Sequence, residues 1–486
     1  MDKVDVNEIQ GIILRGYGKF DISCFVLLHV TNAPAARTWL GRIAPTVNTA
    51  NRQGDYDTNP KPHPVLNIAF TYAGLLALGL QQANTRSFVN EFREGMVTAH
   101  RQRLLGDVDQ SDPTLWRWGG PKNDVLHIML CLYATDQPAM DAFRQKVAAE
   151  FEGAGLKVIG RLDGLTLEGR REHFGFRDGI GQPKMDGYDE NTGDPSPENH
   201  VAPGEFLLGY PNEYGVYPDT PTIAQPQGDL NLLKSVAAGS GLKDLGRNGT
   251  YFVFRQMSQD VKGFWSDLSN RTRNNDGSDN SAARIQLASK MVGRWPSGAP
   301  ITRYPTADPG GLSDEDNFGF REHDPIGEQC PIGSHVRRTN PRDGLQDSTS
   351  AQSTKITNHH RLLRRGRAYG PMFARSMHPD DLLTAPQPAE EVGLLFMCFN
   401  ANIANQFDFV QANWAGSEKF EKFYNDPDPL MGVQRSSPIG PAQFTIQASP
   451  VRKIVPNLKR YVEVRGGAFM FMPSISAIRF LASIGD

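Results

Sequence analysis

One pattern occurs four times along the chain: a short apolar, β-branched or aromatic run followed by an amphipathic helical stretch. Runs of about six to nine residues suit strands, and stretches of about ten to fifteen residues suit helices. The four pairs are Ile22–Val30 with Pro34–Ile43, Val125–Tyr133 with Gln137–Phe151, Thr250–Met257 with Val261–Leu268, and Val392–Phe399 with Ile403–Trp414. The pattern predicts an α+β protein built from strand–helix units.

A polar, Pro- and Gly-rich segment, Asp189–Gly249, separates the first two pairs from the last two. Two units per half predict two copies of a split β-α-β arrangement, with an antiparallel sheet and helices on one face. We place the domains at residues 1–215 and 216–486, with a loop insertion at 269–318 that carries a short helix, Ala282–Lys290. Chance repetition of a common unit is the alternative.

Bulk composition excludes some classes of function. The net charge of −3 gives no support to nucleic-acid binding. The longest apolar stretches, such as Ala73–Leu80, are far too short to span a bilayer, so no membrane partner is expected. Monomer and dimer are both open.

The four cysteines, Cys24, Cys131, Cys330 and Cys398, are scattered and contain no C-x-x-C pair. They therefore indicate neither a zinc site nor a disulfide framework. The first eight residues are acidic and polar, without the basic and apolar regions of a secretory signal. We expect a cytoplasmic protein.

A glycine-rich loop, Phe174–Pro183, contains one carboxylate, Asp178. Glycines allow tight backbone turns and close approach to a ligand. Asp-Gly is also a common turn dipeptide, and the chain has four others, so the loop alone favours a turn residue. A working acid/base group is the alternative.

His335 stands out among the eleven histidines, because small residues precede it and arginines follow it in Cys330–Arg342. Small neighbours leave room for a bulky planar group, and guanidinium groups bind carboxylates bidentately. A flat ligand with two carboxylates, bound through one His, describes haem. The spacing alone still favours a structural histidine.

A second basic stretch, His359–Gly370, carries Arg361, Arg364 and Arg365. Neighbouring residues on a strand point to opposite faces. Periodicity does not decide which of these arginines points inward, and a solvated strand or an anion-binding patch is the simpler interpretation.

Five segments in this order resemble the dye-decolourising peroxidases: Glu8–Tyr17, Gly175–Gly179, Cys330–Arg342, Arg361–Gly370 and Gly393–Phe396. The resemblance covers about residues 8 to 484, and the length resembles the larger, non-secreted branch of that family. It implies two ferredoxin-like domains of the dimeric α+β barrel type, with haem b in the second domain near the interface. It also implies a peroxidase that reduces hydrogen peroxide and oxidises dyes, phenolics and similar aromatic one-electron donors.

The resemblance assigns the reacting groups. His335 matches the proximal ligand of the haem iron, Asp178 the distal acid/base residue, and Arg364 the distal arginine. Some relatives carry an Asn two residues after that arginine, where this chain has Gly366. A mechanism that needs an amide there does not carry over.

The resemblance also assigns the walls of the haem pocket. Leu394 and Phe396 match apolar residues that shape its distal side, and Arg342 is a candidate partner for a haem propionate. A proximal His usually donates its second N–H to a carboxylate. We expect Asp408, on the helix after the Gly393–Phe399 strand, to be that carboxylate.

Two other classes of function remain open on sequence. One is a haem-binding or haem-handling protein without turnover, which would need His335 but not Asp178 with Arg364. The other is a non-haem structural or regulatory α+β protein, whose arginine clusters bind anions.

Overall fold

A computed structural model describes residues 3–51, 61–188, 199–435 and 440–485. The strands in this part of the chain are β1 (Ile22–Val30), β2 (Val65–Phe70), β3 (Ile128–Ala134), β4 (Leu156–Leu165), β5 (Lys184–Met185), β6 (His200–Val201), β7 (Thr222–Ile223), β8 (Lys243–Asp244), β9 (Thr250–Gln259), β10 (Leu363–Arg364), β11 (Arg367–Tyr369), β12 (Gly393–Asn400), β13 (Gln443–Ile446), β14 (Lys453–Pro456) and β15 (Val462–Met472). The α-helices are Gly11–Arg15, Ala33–Ile43, Tyr72–Ala77, Gln82–Thr85, Asn90–Glu94, Ala99–Leu105, Gln137–Ala149, Val261–Arg271, Ser281–Val292, Phe320–His323, His335–Thr339, Ser350–His359, Pro379–Thr384 and Ile475–Ser483. Among the described residues, no helix is both long and apolar enough to cross a membrane.

All four predicted strand–helix units are present, and in three of them the helix is an α-helix. Helices begin directly after β1, β3 and β9, each at an Asn or Asp whose side chain accepts a backbone N–H of the first turn. Such N-caps satisfy donors that the helix itself leaves free. The fourth unit differs, because the segment after β12 is π-helical at Ala404–Asp408 and Val410–Ala415. The helix predicted in the insertion is also present, at Ser281–Val292.

Eight strands close into one antiparallel barrel in the order β12-β11-β4-β1-β3-β2-β15-β9, with β9 pairing back onto β12. The strands of each predicted half pair with one another over long registers. The halves join at two narrow seams, Ala368 opposite Leu165 and Phe471 opposite Phe70. The α+β fold with an antiparallel barrel sheet is therefore confirmed. The boundary near residue 215 stays a prediction, and residues 189–198 of the predicted polar middle lie outside the described residues.

The two faces of the barrel wall have different partners. Side chains such as Phe25, Phe254 and Met397 fill the interior. On β12 the alternate residues Leu394 and Phe396 point outward and pack in a separate cluster with the helices and loops of the second half. Since successive side chains of a strand face opposite sides, this alternation places Leu394 and Phe396 on the outer wall, where the functional cavity lies.

Candidate active site

A cavity of about 510 Å³ lies against the outer wall formed by β9 and β12. Its volume is in the range of small-molecule and cofactor sites. Six of the seven residues predicted for the site line it: Asp178, His335, Arg342, Arg364, Leu394 and Phe396. The chain therefore brings segments up to 218 positions apart (Asp178 to Phe396) around one space.

His335 is the first residue of the short helix His335–Thr339. Its Nδ1 lies 2.9 Å from Oδ2 of Asp428, a fully buried carboxylate. Burial by itself would lower the pKa of His335, but the negative charge of Asp428 and the hydrogen bond to it together outweigh burial and raise that pKa. The same ion pair holds the pKa of Asp428 below its usual value, although burial acts in the opposite direction. With Nδ1 engaged, Nε2 is the ring nitrogen available to a ligand in the cavity.

The backbone amides of Leu430 and Met431 hold the other oxygen of Asp428, at 2.8 and 2.9 Å. A carboxylate fixed in this way fixes the orientation of the imidazole ring that it contacts. His335 is thus positioned by a loop 93 residues further along the chain.

The prediction that Asp408 partners His335 is wrong. The Asp408 carboxylate forms a buried ion pair with Arg101 instead. Phe407 and Val410 line the cavity, and the π-helical backbone turns the intervening Asp408 away from it. Burial raises the pKa of Asp408 to about 7, and the charge of Arg101 only partly offsets this effect.

We expect Asp428→Asn to weaken haem retention by about 10- to 100-fold, the usual cost of losing a group that orients a metal ligand. Asp408→Asn should leave the haem affinity of the folded protein unchanged, because its partner lies outside the cavity. Haem transfer to a competing haem acceptor measures both. A stronger effect of Asp408→Asn would restore the original prediction.

Asp178 combines a turn with a position in the cavity. Its Oδ1 accepts the N–H of Gly179 at 2.6 Å, and Gly179 has a φ of 82°. The same oxygen lies 3.6 Å from a terminal nitrogen of Arg364. The side chains of Asp178 and Arg364 remain 36% and 33% exposed, and both line the cavity. The turn interpretation and the acid/base interpretation are therefore compatible.

Arg364 is the arginine of the basic stretch that meets Asp178. On β10, its neighbour Leu363 points into the barrel interior, so Arg364 projects from the other face. Its guanidinium donates to Ile180 O at 2.9 Å. Arg365 donates to the carbonyls of Ile12 and Ile13. Sequence periodicity did not predict which arginine of this stretch meets Asp178, and the pairing of β10 with β12 places Arg364 beside it.

A family model described as the DyP dimeric alpha+beta barrel domain matches residues 8–166. The dye-decolorizing peroxidase msp1 of Mycetinis scorodonius is 28% identical over 99% of this chain and 88% of its own length. The multifunctional dye peroxidase DyP2 of an Amycolatopsis strain is 27% identical over 98% of this chain and 96% of its own length. The structure of an ancestral D-type dye-decolorizing peroxidase is 27% identical, with a TM-score of 0.76 over 99% of this chain and all of the other.

These similarities, which extend over nearly the whole chain, identify a peroxidase of the dye-decolourising type. The protein is therefore a peroxidase, and the enzymes of this family depend on haem.

Three features of this dye-decolourising peroxidase fit a haem group. The imidazole of His335 offers one ligand nitrogen, and Leu394 and Phe396 offer apolar wall. Burial lowers the pKa of Arg294 and of Arg361, each to about 10, with Asp316 opposing the shift. Such a surplus of buried positive charge suits the two carboxylates of a haem.

Arg342 belongs to the same cationic group. It ion-pairs with Asp316, donates to Asp316 O at 2.8 Å, and lies 4.2 Å from the ring centre of Phe318. Its buried Nε has no hydrogen-bond partner among the residues that the structure describes. Buried donors are normally paired, so this nitrogen is a further sign that the pocket suits an anionic group. The residues that the sequence reasoning missed, Arg294 and Asp316, lie in the insertion, where no motif distinguishes them.

Gly366 lies next to the distal pair. A Cβ at this position would sit 3.9 Å from Oδ2 of Asp178 and 3.7 Å from Cδ1 of Leu394. A side chain would thus fit beside Asp178, but glycine supplies none. Position 366 therefore supplies no amide beside Asp178, as the sequence predicts.

Proposed function

We propose that this peroxidase binds haem b through His335 and uses Asp178 with Arg364 to reduce hydrogen peroxide, with phenols and dyes as one-electron donors. The observation that carries the proposal is one cavity with the His335–Asp428 pair and the Asp178–Arg364 pair on its walls. A haem held there by His335 would supply the redox chemistry for peroxide reduction. The phenolic donor class is supported by a relative, 25% identical with a TM-score of 0.75, whose structure holds 2,6-dimethoxyphenol.

Asp178 would move one proton within the peroxide. Its carboxylate accepts the proton from one oxygen and returns it to the other, which leaves as water.

Arg364 would stabilise the negative charge that develops on the breaking O–O bond. A guanidinium is a planar cation that presents its N–H donors in a fixed fork. The carbonyl of Ile180 fixes one end of the guanidinium, which leaves the nitrogen nearest Asp178 free to face the cavity. Leu394 and Phe396 line the same cavity with apolar surface, and a less polar environment strengthens such an interaction.

Arg364→Leu is expected to lower peroxide turnover by at least about a hundredfold, the typical effect of removing one such donor. Arg364→Lys should retain part of the activity, since it keeps the charge but loses the planar fork. Steady-state dye oxidation at saturating peroxide measures both variants. A loss below tenfold in Arg364→Leu would shift the role to Arg361 or Arg365.

The experiment that tests the proposed function is a peroxide titration of the haem-loaded protein in the presence of 2,6-dimethoxyphenol or an anthraquinone dye. Oxidation that requires both haem and peroxide supports it. Haem binding without peroxide-dependent oxidation would favour a haem carrier. Failure to take up haem at all would favour an anion-binding α+β protein.

A cytoplasmic location and a monomeric or dimeric state are part of the same proposal. All four cysteines are buried and free of disulfides, which agrees with a reducing compartment. Fractionation of the producing cells tests the location, and light scattering of the purified protein tests the oligomeric state.

A further inference from the structure

A second carboxylate, Glu172, lines the cavity near Asp178. Its Oε2 accepts the N–H of Phe174 at 2.9 Å and an amide N–H of Gln259 at 2.5 Å. Its Oε1 accepts the N–H of Phe176 at 3.0 Å. Three donors from two different elements thus converge on one side chain that has no part in the proposed chemistry.

The backbone around Glu172 forms a tight loop. The N–H of Glu172 donates to Phe176 O, and the N–H of Gly175 donates to Glu172 O, both at 2.9 Å. Gly175 has a φ of 93°, and a Cβ there would meet Met377 O at 2.7 Å. Only glycine suits such a close approach in this conformation.

The loop that Glu172 closes leads directly to the distal group. Arg171 and Arg177 pair as an antiparallel bridge, and the N–H of Asp178 donates to Arg170 O at 2.9 Å. Residues 170–178 therefore form a hairpin, with Glu172 inside its tip and Asp178 where the chain leaves it. A short hydrogen-bonded hairpin thus links the tip to Asp178.

Gln259 connects the tip to the barrel. It is the last residue of β9, and its side chain reaches Glu172 across the cavity wall. Because β9 pairs with both β12 and β15, it is a rigid reference for the loop. The Glu172–Gln259 bond therefore ties the loop to the wall that also carries Leu394 and Phe396.

The burial of the Glu172 carboxylate is unfavourable to its charged form. Burial raises its pKa to about 7, although the three hydrogen bonds favour the charged form, and the nearby negative charge of Asp178 adds to the rise. A neutral side chain of similar size would avoid that cost. The three N–H groups that donate to this carboxylate offset part of that cost.

We propose that Glu172 is a positioning residue for Asp178, because its carboxylate fixes the hairpin that presents Asp178 to the cavity. The inference rests on the proposed role of Asp178 in peroxide reduction. Glu172→Gln keeps the volume but offers one acceptor oxygen in place of two. Its NH₂ group then faces an N–H donor, so the hairpin loses at least one hydrogen bond.

The test compares three variants of the full-length, haem-loaded protein: Glu172→Gln, Glu168→Gln and Asp178→Asn. Glu168 is the matched control, since it is exposed, lies four residues away and does not line the cavity. Stopped flow measures the peroxide half-reaction and the reductant half-reaction separately. Hydrogen exchange followed by mass spectrometry measures the protection of a peptide covering residues 172–178.

We expect Glu172→Gln to slow the peroxide half-reaction at least tenfold and to leave the reductant half-reaction within twofold. Exchange in the 172–178 peptide should accelerate at least tenfold, while haem absorption stays the same. Glu168→Gln should match the wild type in every measurement. If Glu172→Gln folds poorly, Gln259→Ala removes one donor without a change of charge and should shift both readouts in the same direction.

The outcomes separate this inference from the proposed function. If Asp178→Asn is slow and Glu172→Gln reacts at the wild-type rate, the positioning role is wrong and the role of Asp178 stands. If Glu172→Gln is slow and Asp178→Asn is not, Glu172 is itself the acid/base group, and both assignments fail. Equal losses in the two half-reactions would indicate a purely structural role and would also overturn the inference.

Discussion

Replacing His335 with Ala is expected to remove haem almost completely from the purified protein. The imidazole is held by Asp428 with its second nitrogen available to the cavity, and no other imidazole among the described residues lines that space. Without this imidazole, only the apolar walls and the arginines would contact the haem, and its iron would have no protein ligand. The ratio of Soret to protein absorbance, after haem supplementation and gel filtration, measures the loss.

His323→Ala is the control for general effects of losing a histidine. His323 lies in the same half of the chain, and its Nδ1 contacts Gly319 O rather than the cavity. Free imidazole should restore part of the Soret band in His335→Ala, because it fits the space that the side chain leaves. A His335→Ala protein with an unchanged spectrum would overturn the assignment of the ligand.

The fold was largely predictable from local patterns. Strands and helices such as Ala33–Ile43 and Val261–Arg271 can be predicted from the periodicity of their apolar residues and from the N-cap residues of the helices. Closure of the barrel is different, because it depends on pairing between β9 and β12, whose residues are more than 130 positions apart. The periodicity of apolar residues predicts a strand, but it does not predict the strand with which that strand pairs.

The functional site was also predictable only in part. The motif around Asp178, together with His335 and Arg364, was sufficient to predict three side chains that line one cavity. The partner of His335 was assigned to Asp408 because that residue follows a strand of the pocket. Asp428 instead reaches His335 from a proline-flanked loop, and no period or spacing indicates such a tertiary contact.

Glu172 was missed for a related reason. It lies six residues before Asp178, and in sequence it is an ordinary charged residue ahead of an apolar pair. Its importance becomes visible only when its oxygens meet the amides of Phe174 and Phe176. Groups that position a reacting residue act through geometry, so they are the last part of a site that sequence can predict.

Replacing Asp178 with Asn is expected to slow the reaction with peroxide by about 10²- to 10⁴-fold, the usual contribution of a positioned acid/base group. The amide oxygen of Asn can still accept the N–H of Gly179, so the turn is preserved. The amide cannot take a proton from peroxide at any pH of interest. Haem binding and thermal stability should therefore match the wild type, and stopped-flow mixing with peroxide should reveal the loss.

Asp276→Asn is the matched control, because Asp276 also precedes a glycine in an Asp-Gly turn. Its Oδ1 accepts the N–H of Ser278 at 2.9 Å, and the turn does not line the cavity. This variant should react with peroxide at the wild-type rate. If Asp178→Asn behaves like Asp276→Asn, then Asp178 is a turn residue only, and another cavity carboxylate must move the proton. Glu172 would then be the first to test, since it is the nearest carboxylate along the chain that lines the same cavity.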